Sequence, residues 1–542
     1  MKLPDGITLS LAVAGALASS GRVAFAQCPD GTPPPCRAAA ARVTPSVNSI
    51  AVLPFASRSP DTTDAFIAEG MTDEVGNQLT KLARLQVKAR GIVASQWRRA
   101  ADPLSVARAL GVAWLLDGNV RRAGGQVVVN VELVRGTTGA QVWSSRFVRR
   151  DTDLFGTQTE VAESVAVLVG GRLTPGERAV LAKRPTRNNR AYTLYLLGNS
   201  LLARRSQDEV RRALTAYTEA VKLDPAFVAG WAGVSLARSV QYSWAAWSDD
   251  VPKDSLLVLA GVSATRAVAL DSSSAEAWLA AGNVAFLKGE LGAAHAAYER
   301  SLARDSLNAE TWHFYGVMYG YDEENSLGLG TVATSLFRRA LALDPTRRNT
   351  LRHLAVATRV QGQFAAAEAL LDTALVLGPW GPGFSDRSFV RLRRGNVPGA
   401  IADLAELSKL DGIHRPSESV FSGIVAGDSA PARTQLAKLQ AAAPTRPQLY
   451  ISVALISALL GSRDEALSAL ESVKAWTNPN EPRCARNVTC SPSLATWRMM
   501  QDPAFAFLRG DARFERIWAD VRPKVPWLRD GTRGTDLHRL AP

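Results

Sequence analysis

Apolar and polar positions follow two rhythms along this chain. Between Ser49 and Leu173 the period keeps changing. "SIAVLPF" (Ser49 to Phe55) is a short apolar run closed by proline, which predicts a buried strand. Ile67, Met71, Val75, Leu79 and Leu82 then recur at helical spacing. "LQVKAR" (Leu85 to Arg90) predicts a second strand, and "PLSVARALGV" (Pro103 to Val112) a short helix with proline near its start and glycine near its end. From Ala113 to Arg150 three strands and two turns follow. Val127, Val129, Val131 and Leu133 share one face of the middle strand, while Asn130 and Glu132 take the other. Gly124-Gly125 suits a tight hairpin. A helix from about Leu154 to Leu173 closes the unit, in the order β-α-β-α-β-β-β-α with a mixed sheet.

Beyond residue 190 the rhythm becomes a repeat. Trp278 and Trp312 are 34 positions apart, as are Asp271 and Asp305, Ala340 and Ala374, and Pro345 and Pro379. Within a unit an aromatic residue is followed four later by Gly, then by Ala, an aromatic or Leu, Ala or Ser, and Asp-Pro or a variant. Trp278, Gly282, Ala294, Tyr298, Ser301 and Asp305 make one such unit. Small residues let paired helices approach, and proline ends the second helix so that the chain turns back.

These residues carry two resemblances. "SIAVLPF", "EGMTDEV", "VKAR", "VARALGVAWLLDGNVRRAGGQVVVNVELV", "TGAQVWSSRF" and "DLFGTQTEVAESVA" resemble the TolB amino-terminal-like domain. Met71 and the loose segment "GIVASQWRR" (Gly91 to Arg99) depart from its pattern. In relatives that domain often stands between a kinase, cyclase or winged-helix module and a repeat array. Here a different segment precedes it, so the functions of those modules do not transfer. The array itself resembles the tetratricopeptide repeat. The fold class that follows is α+β: a mixed α/β domain followed by an all-α superhelix. The expected organisation is a signal peptide over 1–26, a Pro/Ala-rich linker with a cysteine pair over 27–47 and the α/β domain over 48–173. A linker over 174–189, about eight repeat units over 190–479, a capping region over 480–527 and a disordered tail over 528–542 complete it. "TPGERAVLAKRPTRNN" (Thr174 to Asn189) holds Pro175, Gly176 and Pro185 among charges, which predicts that few core contacts cross it and that a 45–180 fragment folds alone.

Compartment follows from the first residues and the cysteines. "ITLSLAVAGALASS" (Ile7 to Ser20) and the small residues before Gln27 read as a secretory signal cut after Ala26, which predicts a periplasmic or secreted protein. No apolar run is long enough for a transmembrane segment. Cys28 and Cys36, and Cys484 and Cys490, form two local pairs without CxxC or neighbouring histidine, and read as two disulfides. The 542 residues carry a net charge of +13, spread over arginine doublets, which suits solvated faces and leaves contact with anionic envelope polymers open.

Reactive motifs are missing from the sequence. It has no HExxH, P-loop, GxSxG or SxxK, and its five histidines form no ligand pair at helical spacing. "GLGTVA" (Gly328 to Ala333) lacks the strand that a dinucleotide fingerprint needs, "DEENS" misses calcium-loop spacing, and Trp231, Trp278 and Trp312 read as packing positions. The expectation is a non-enzymatic interaction scaffold without cofactor or metal and without specific nucleic acid, binding a protein or peptide in the groove of its repeats. The alternatives are a cytoplasmic regulatory protein, and an envelope-modifying enzyme with an atypical site. In the groove the resemblance puts the inner surface on the first helix of each unit, at Glu276, Asn283, Glu310 and His313, with Arg352 and Arg359 seven apart on one face. Asn199 follows Gly198 as Asn283 follows Gly282. In relatives that hold peptide carboxylates, such asparagines fix the peptide and basic residues grip its carboxylate. Arg352→Ala with Arg359→Ala is then expected to abolish capture and leave the thermal melt unchanged.

Overall fold

A computed structural model of the chain describes residues 45–61, 64–100, 102–150, 154–204, 206–243, 253–321, 326–411, 428–445, 449–475, 497 and 500–521. The expected signal sequence, both cysteine pairs, most of the aromatic insertion (Gln241 to Ser255) and the 528–542 tail lie outside them.

The first part is a mixed sheet between helices. In chain order it holds β1 (Ser49–Val52), β2 (Ala56–Ser57), α1 (Ala65–Thr80), β3 (Gln86–Val87), α2 (Arg90–Arg99), α3 (Pro103–Leu110), β4 (Trp114–Ala123), β5 (Gln126–Arg135), β6 (Gln141–Arg150) and α4 (Leu154–Gly170). The sheet runs β3-β1-β4-β5-β6, with β2 also beside β4. Pairings to β1 and β2 are parallel, while β4-β5 and β5-β6 are antiparallel. The alternation of β5 puts Val127, Val129, Val131 and Leu133 in one core with α1 and α4. Ala51, Leu53 and Leu115 face α2 and α3 in a second core. Gly124 and Gly125 both take positive φ, 59° and 72°, which a two-residue hairpin requires.

Three segments differ from the sequence expectation, of which the two-residue β2 beside β4 is the first. "GIVASQWRR" lies in helix α2, which the predicted order omits. Its start has no side-chain cap and it buries only Gly91 and Val93, so neither a cap nor an apolar stripe marks it. The 174–189 linker contains helix α5 (Pro175–Ala182), begun by a capping box between Thr174 and Glu177. Leu181 from this helix is buried in the main sheet-domain core.

Paired helices follow: α6 (Asn189–Arg204) and α7 (Gln207–Leu223), α8 (Val228–Ser243) and α9 (Lys253–Leu270), α10 (Ala275–Leu287) and α11 (Leu291–Arg304). Next come α12 (Ala309–Tyr319) and α13 (Gly330–Leu343), α14 (Arg348–Val360) and α15 (Phe364–Val376), α16 (Gly381–Arg393) and α17 (Val397–Asp411). Helix α18 (Ala430–Ala442), the pair α19 (Tyr450–Leu459) and α20 (Arg463–Ala475), a 3-10 turn (Pro503–Leu508) and α21 (Ala512–Val521) end the described chain. These are tetratricopeptide-like helical repeats, and their packing explains the motif. A Cβ on Gly198 or Gly233 would meet the Tyr217 ring at 2.6 Å, one on Gly282 the Tyr298 ring at 2.9 Å, and one on Gly316 the Phe337 ring at 2.6 Å. Glycine there is what lets the ring of each second helix reach the backbone of a first helix. The three tryptophans pin turns: Trp231, Trp278 and Trp312 donate their indole N–H to the carbonyls of Pro225, Ser272 and Ser306 at 3.0, 2.8 and 2.9 Å.

The sheet domain and the array share one core. Ala191, Tyr192 and Leu196 of α6, with Ala220 and Phe227, lie in the same buried cluster as the inner face of the sheet. Tyr192 donates its hydroxyl to the Gln158 amide oxygen of α4 at 2.8 Å, in the interior. Core contacts therefore cross the 174–189 segment, which corrects the expectation that few do so and removes the basis for a 45–180 fragment that folds alone. The reason is chain geometry: α5 brings α6 back onto α1 and α4.

Candidate partner-binding face of the helix array

The first helices of the repeats carry the predicted groove residues, and their surroundings are largely internal. Helix α1 lies on α6. Gly70 sits so close to Leu196 that a Cβ would meet its side chain at 2.9 Å, and Ser200 of α6 donates to Glu69 at 2.7 Å. Helix α2 meets the turn between α13 and α14, where any Cβ on Gly91 would overlap the backbone and carboxylate of Asp344. The sheet domain thus spans from the first helix pair to the end of the fourth. Arg348, at the start of α14, donates to the Arg204 carbonyl at the end of α6, so the fifth pair also touches the first.

This junction collects charge. Asp73 of α1 pairs with Arg90 of α2. Burial pushes the Asp73 carboxyl up to about 7 against the pull of Arg90, and Glu69, Asp344 and Glu74 add to the rise. Burial likewise raises Glu74, with a smaller contribution from Glu276 of α10. Gly91→Val is expected to part α2 from α13 and expose Asp344. The check is limited proteolysis, with cleavage after Arg90 and Arg99 at least tenfold faster than in the parent chain, on the order of the 1–3 kcal/mol that overpacking costs.

The predicted site residues divide into three groups. Asn283 and His313 are buried, each 3% exposed, which corrects their expected place on an open inner surface. Helix α10 packs on α8 and α9 as well as on α11, and His313 of α12 meets Thr350 of α14, so these two positions are enclosed. His313 shares a hydrogen bond with the Thr350 hydroxyl at 2.9 Å and its ring lies 5.2 Å from that of His353. Asn199 and Glu276 are exposed, and Asn199 accepts the Tyr217 hydroxyl at 2.7 Å. The other charged members are held within the chain. Glu310 pairs with Arg347, Arg352 with Asp386 at 2.6 Å, and Arg359 with Asp502 at 3.0 Å. An unchanged melt for Arg352→Ala with Arg359→Ala therefore no longer follows. The double variant is expected to melt several degrees lower, since about 1 kcal/mol or more goes with each part-buried pair.

Sequence reasoning missed the group around Asp502. Its carboxylate lies between Arg359 of α14 and Arg393 of α16, at 3.0 and 3.3 Å. Burial lowers the Arg393 guanidinium, partly offset by Asp502. Gln501 donates to the Gly328 carbonyl at 2.9 Å and accepts Tyr321 at 3.1 Å, so this C-terminal segment is laid on the fourth to sixth pairs. Arg359 and Arg393, not the expected Arg352 and Arg359, hold this carboxylate, which comes from the same chain, 143 residues beyond Arg359.

Other candidates for chemistry are local. A cleft of about 300 Å³ in the sheet domain is walled by Leu53, Leu104, Leu115 and Val134, with Asp102, Asp117 and Glu132 at its edge. Asp102 caps α3 through the Ser105 N–H at 3.0 Å, and Asp117 accepts the Gly118 N–H at 2.7 Å. Among the described residues no group of three His, Cys, Asp or Glu side chains is placed to hold a metal ion, and no helix is long and apolar enough to cross a membrane.

Comparison with known proteins adds two kinds of likeness. Residues 46–164 match the family described as HilA/YgeH-like transcriptional regulator, second domain. A curated relative, "Putative adenylate cyclase 3" of Rhizobium meliloti (strain 1021), is 32% identical over 195 residues, which are 35% of this chain and 33% of that protein. The chain thus spans about a third of the length of that relative. Among solved structures, PilW, a type IV pilus biogenesis factor, is 20% identical with a TM-score of 0.31, covering 40% of this chain and 96% of PilW. Pseudomonas aeruginosa PilF is 18% identical with a TM-score of 0.28, covering 44% of this chain and 92% of PilF.

Proposed function

We propose that this chain is a non-enzymatic protein-interaction module, exported with its signal removed after Ala26, whose repeat array binds an acidic polypeptide segment. The observation that carries this reading is the seating of Asp502 between Arg359 and Arg393. A fork of two part-buried guanidiniums from neighbouring first helices grips a carboxylate that a partner could also supply. The partner competes with the C-terminal segment, so the clamp is closed until a better ligand displaces Asp502. The sheet domain, which resembles the TolB amino-terminal-like domain, acts here as a fixed shoulder of the array.

A second reading is regulation, favoured by the match of residues 46–164 to a transcriptional regulator's second domain and by the cyclase relative. In that reading the same composite body receives a partner and passes the signal to another chain.

The test uses Asp502→Asn, which retains an oxygen for the Ala504 N–H cap at 2.9 Å and removes the charge. Fluorescence anisotropy with labelled peptides ending in Asp or Glu is expected to give at least tenfold tighter binding to Asp502→Asn than to the parent chain. Adding Arg359→Ala and Arg393→Ala should remove it. Equal, weak binding by all three forms would end the clamp reading.

A further inference from the structure

The sheet ends at β6, a ten-residue strand whose outer edge pairs with no strand among the described residues. We propose that this edge pairs with the same strand of a second copy, antiparallel about a two-fold axis through Ser145, to form one continuous sheet across a dimer.

The hydrogen-bond parity of the sheet supports this axis. Leu53 and Arg58 donate to the carbonyls of Leu116 and Val120, so even-numbered residues of β4 face β1 and β2, and odd-numbered ones face β5. The register carries this parity outward: Val131 lies opposite Ser145, and Val129 opposite Phe147. From Trp143 to Arg149 the odd-numbered residues of β6 therefore bond to β5; the register shifts between Leu133 and Val134, which leaves Val142 as an extra residue at the start of the strand. The amides and carbonyls of Ser144, Arg146 and Val148 are directed at the open edge.

The sequence of β6 is self-complementary about the same residue. An axis through Ser145 sets Ser144 against Arg146 of the second copy, two residues whose backbone groups both point outward, so they form a hydrogen-bonded pair. Trp143 falls against the second copy's Phe147 in a non-hydrogen-bonded pair, where side chains lie closest and aromatic pairs stabilise most. The matched stretch runs from Trp143 to Phe147, inside the regular part of the strand; Val142, at the bulge, and Val148 flank it and are exposed, at 45% and 39%. Arg146 stands opposite Ser144, so within this stretch no arginine lies directly opposite another. A shift of one residue either way would break the aromatic match. Helix α4 extends the interface. Glu160 binds Arg149 of β6 at 2.7 Å, and Val167, seven residues on, shares that side of the helix and is 42% exposed.

An open strand of this length is a ready template for pairing, and an isologous contact closes it without leaving a new edge at the axis. The two Arg146 side chains lie diagonally across the axis on the outer face. Salt screens them, so the dimer should tighten with ionic strength, whereas an acidic peptide on the same edge would bind more weakly.

The experiment is sedimentation equilibrium of the full chain, with two variants. The parent is expected to show a concentration-dependent doubling of mass. Ser144→Pro removes one outward N–H and leaves the β5 ladder whole, so it should be monomeric with an unchanged circular dichroism spectrum. Ser145→Cys places two thiols at the axis in a non-hydrogen-bonded pair, and oxidation should link two chains through residue 145, mapped by tryptic mass spectrometry. This second variant decides the matter if Ser144→Pro misfolds. A parent chain that stays monomeric, a dimer untouched by Ser144→Pro, or a dimer in which Ser145→Cys fails to cross-link each overturns the proposal.

Discussion

A fragment of residues 45–180 is expected to show no cooperative unfolding, while a fragment of 45–243 melts in one transition. Cutting at 180 strips Tyr192 and Leu196 from the core that they share with α1 and α4. Each such side chain contributes about 1.5–3 kcal/mol by burial. The cut also leaves Gln158, fully buried, without the Tyr192 hydroxyl, at a cost of about 1–3 kcal/mol. The loss is on the order of 4–9 kcal/mol, comparable with the whole stability of an ordinary domain. Extending to Ser243 restores α6 to α8, including Ala220 and Phe227. Circular dichroism melts of the two fragments decide it, and a sharp transition in the shorter one would contradict the shared core.

Arg387→Ala is expected to lower the stability of the array by about 3 kcal/mol, near the lower end of what breaking a buried ion pair costs. Asp403 is 2% exposed and receives Arg387 Nε at 3.0 Å and Arg391 Nη1 at 2.9 Å. Arg387 also meets Asp372 at 2.7 Å, and Arg391 meets Glu368 at 2.9 Å. This network ties α15, α16 and α17 together. Removing Arg387 leaves a buried carboxylate with a single guanidinium, which is why the loss stays short of the upper range. Arg211→Ala, whose pair with Asp208 is solvent-exposed, should change stability by less than about 0.5 kcal/mol. Urea titrations of the full chain compare the two. A loss from Arg387→Ala no larger than that from Arg211→Ala would mean that the network is not stabilising.

Much of the fold could be read before any coordinates, for identifiable reasons. The β4 to β6 meander follows from strict alternation at Val127, Val129, Val131 and Leu133 and from Gly124-Gly125. The repeats follow from glycines that recur because rings pack on them. Helix α5 was readable too: Thr174-Pro175-Gly176-Glu177 is a capping box with proline at the first helical position, and the composition of the segment hid it. Helix α2 carried no such mark. The candidate site was less legible because its contacts are long-range. The seven-residue spacing of Arg352 and Arg359 places them on one helical face but says nothing of Asp502 or Asp386. A rule for helices packed on one side puts Asn283 and His313 on an open face, and these helices are packed on several.

The sheet domain and the helix array are one body, joined through α1 on α6 and α2 on the α13-α14 turn. Native-state hydrogen exchange of the full chain tests it most directly. Amides of α1 (Ala65–Thr80) and of α6 (Asn189–Arg204) are expected to exchange through a common opening with the same free energy and the same denaturant dependence. Exchange of α1 through a cheaper opening, with α6 still closed, would contradict it.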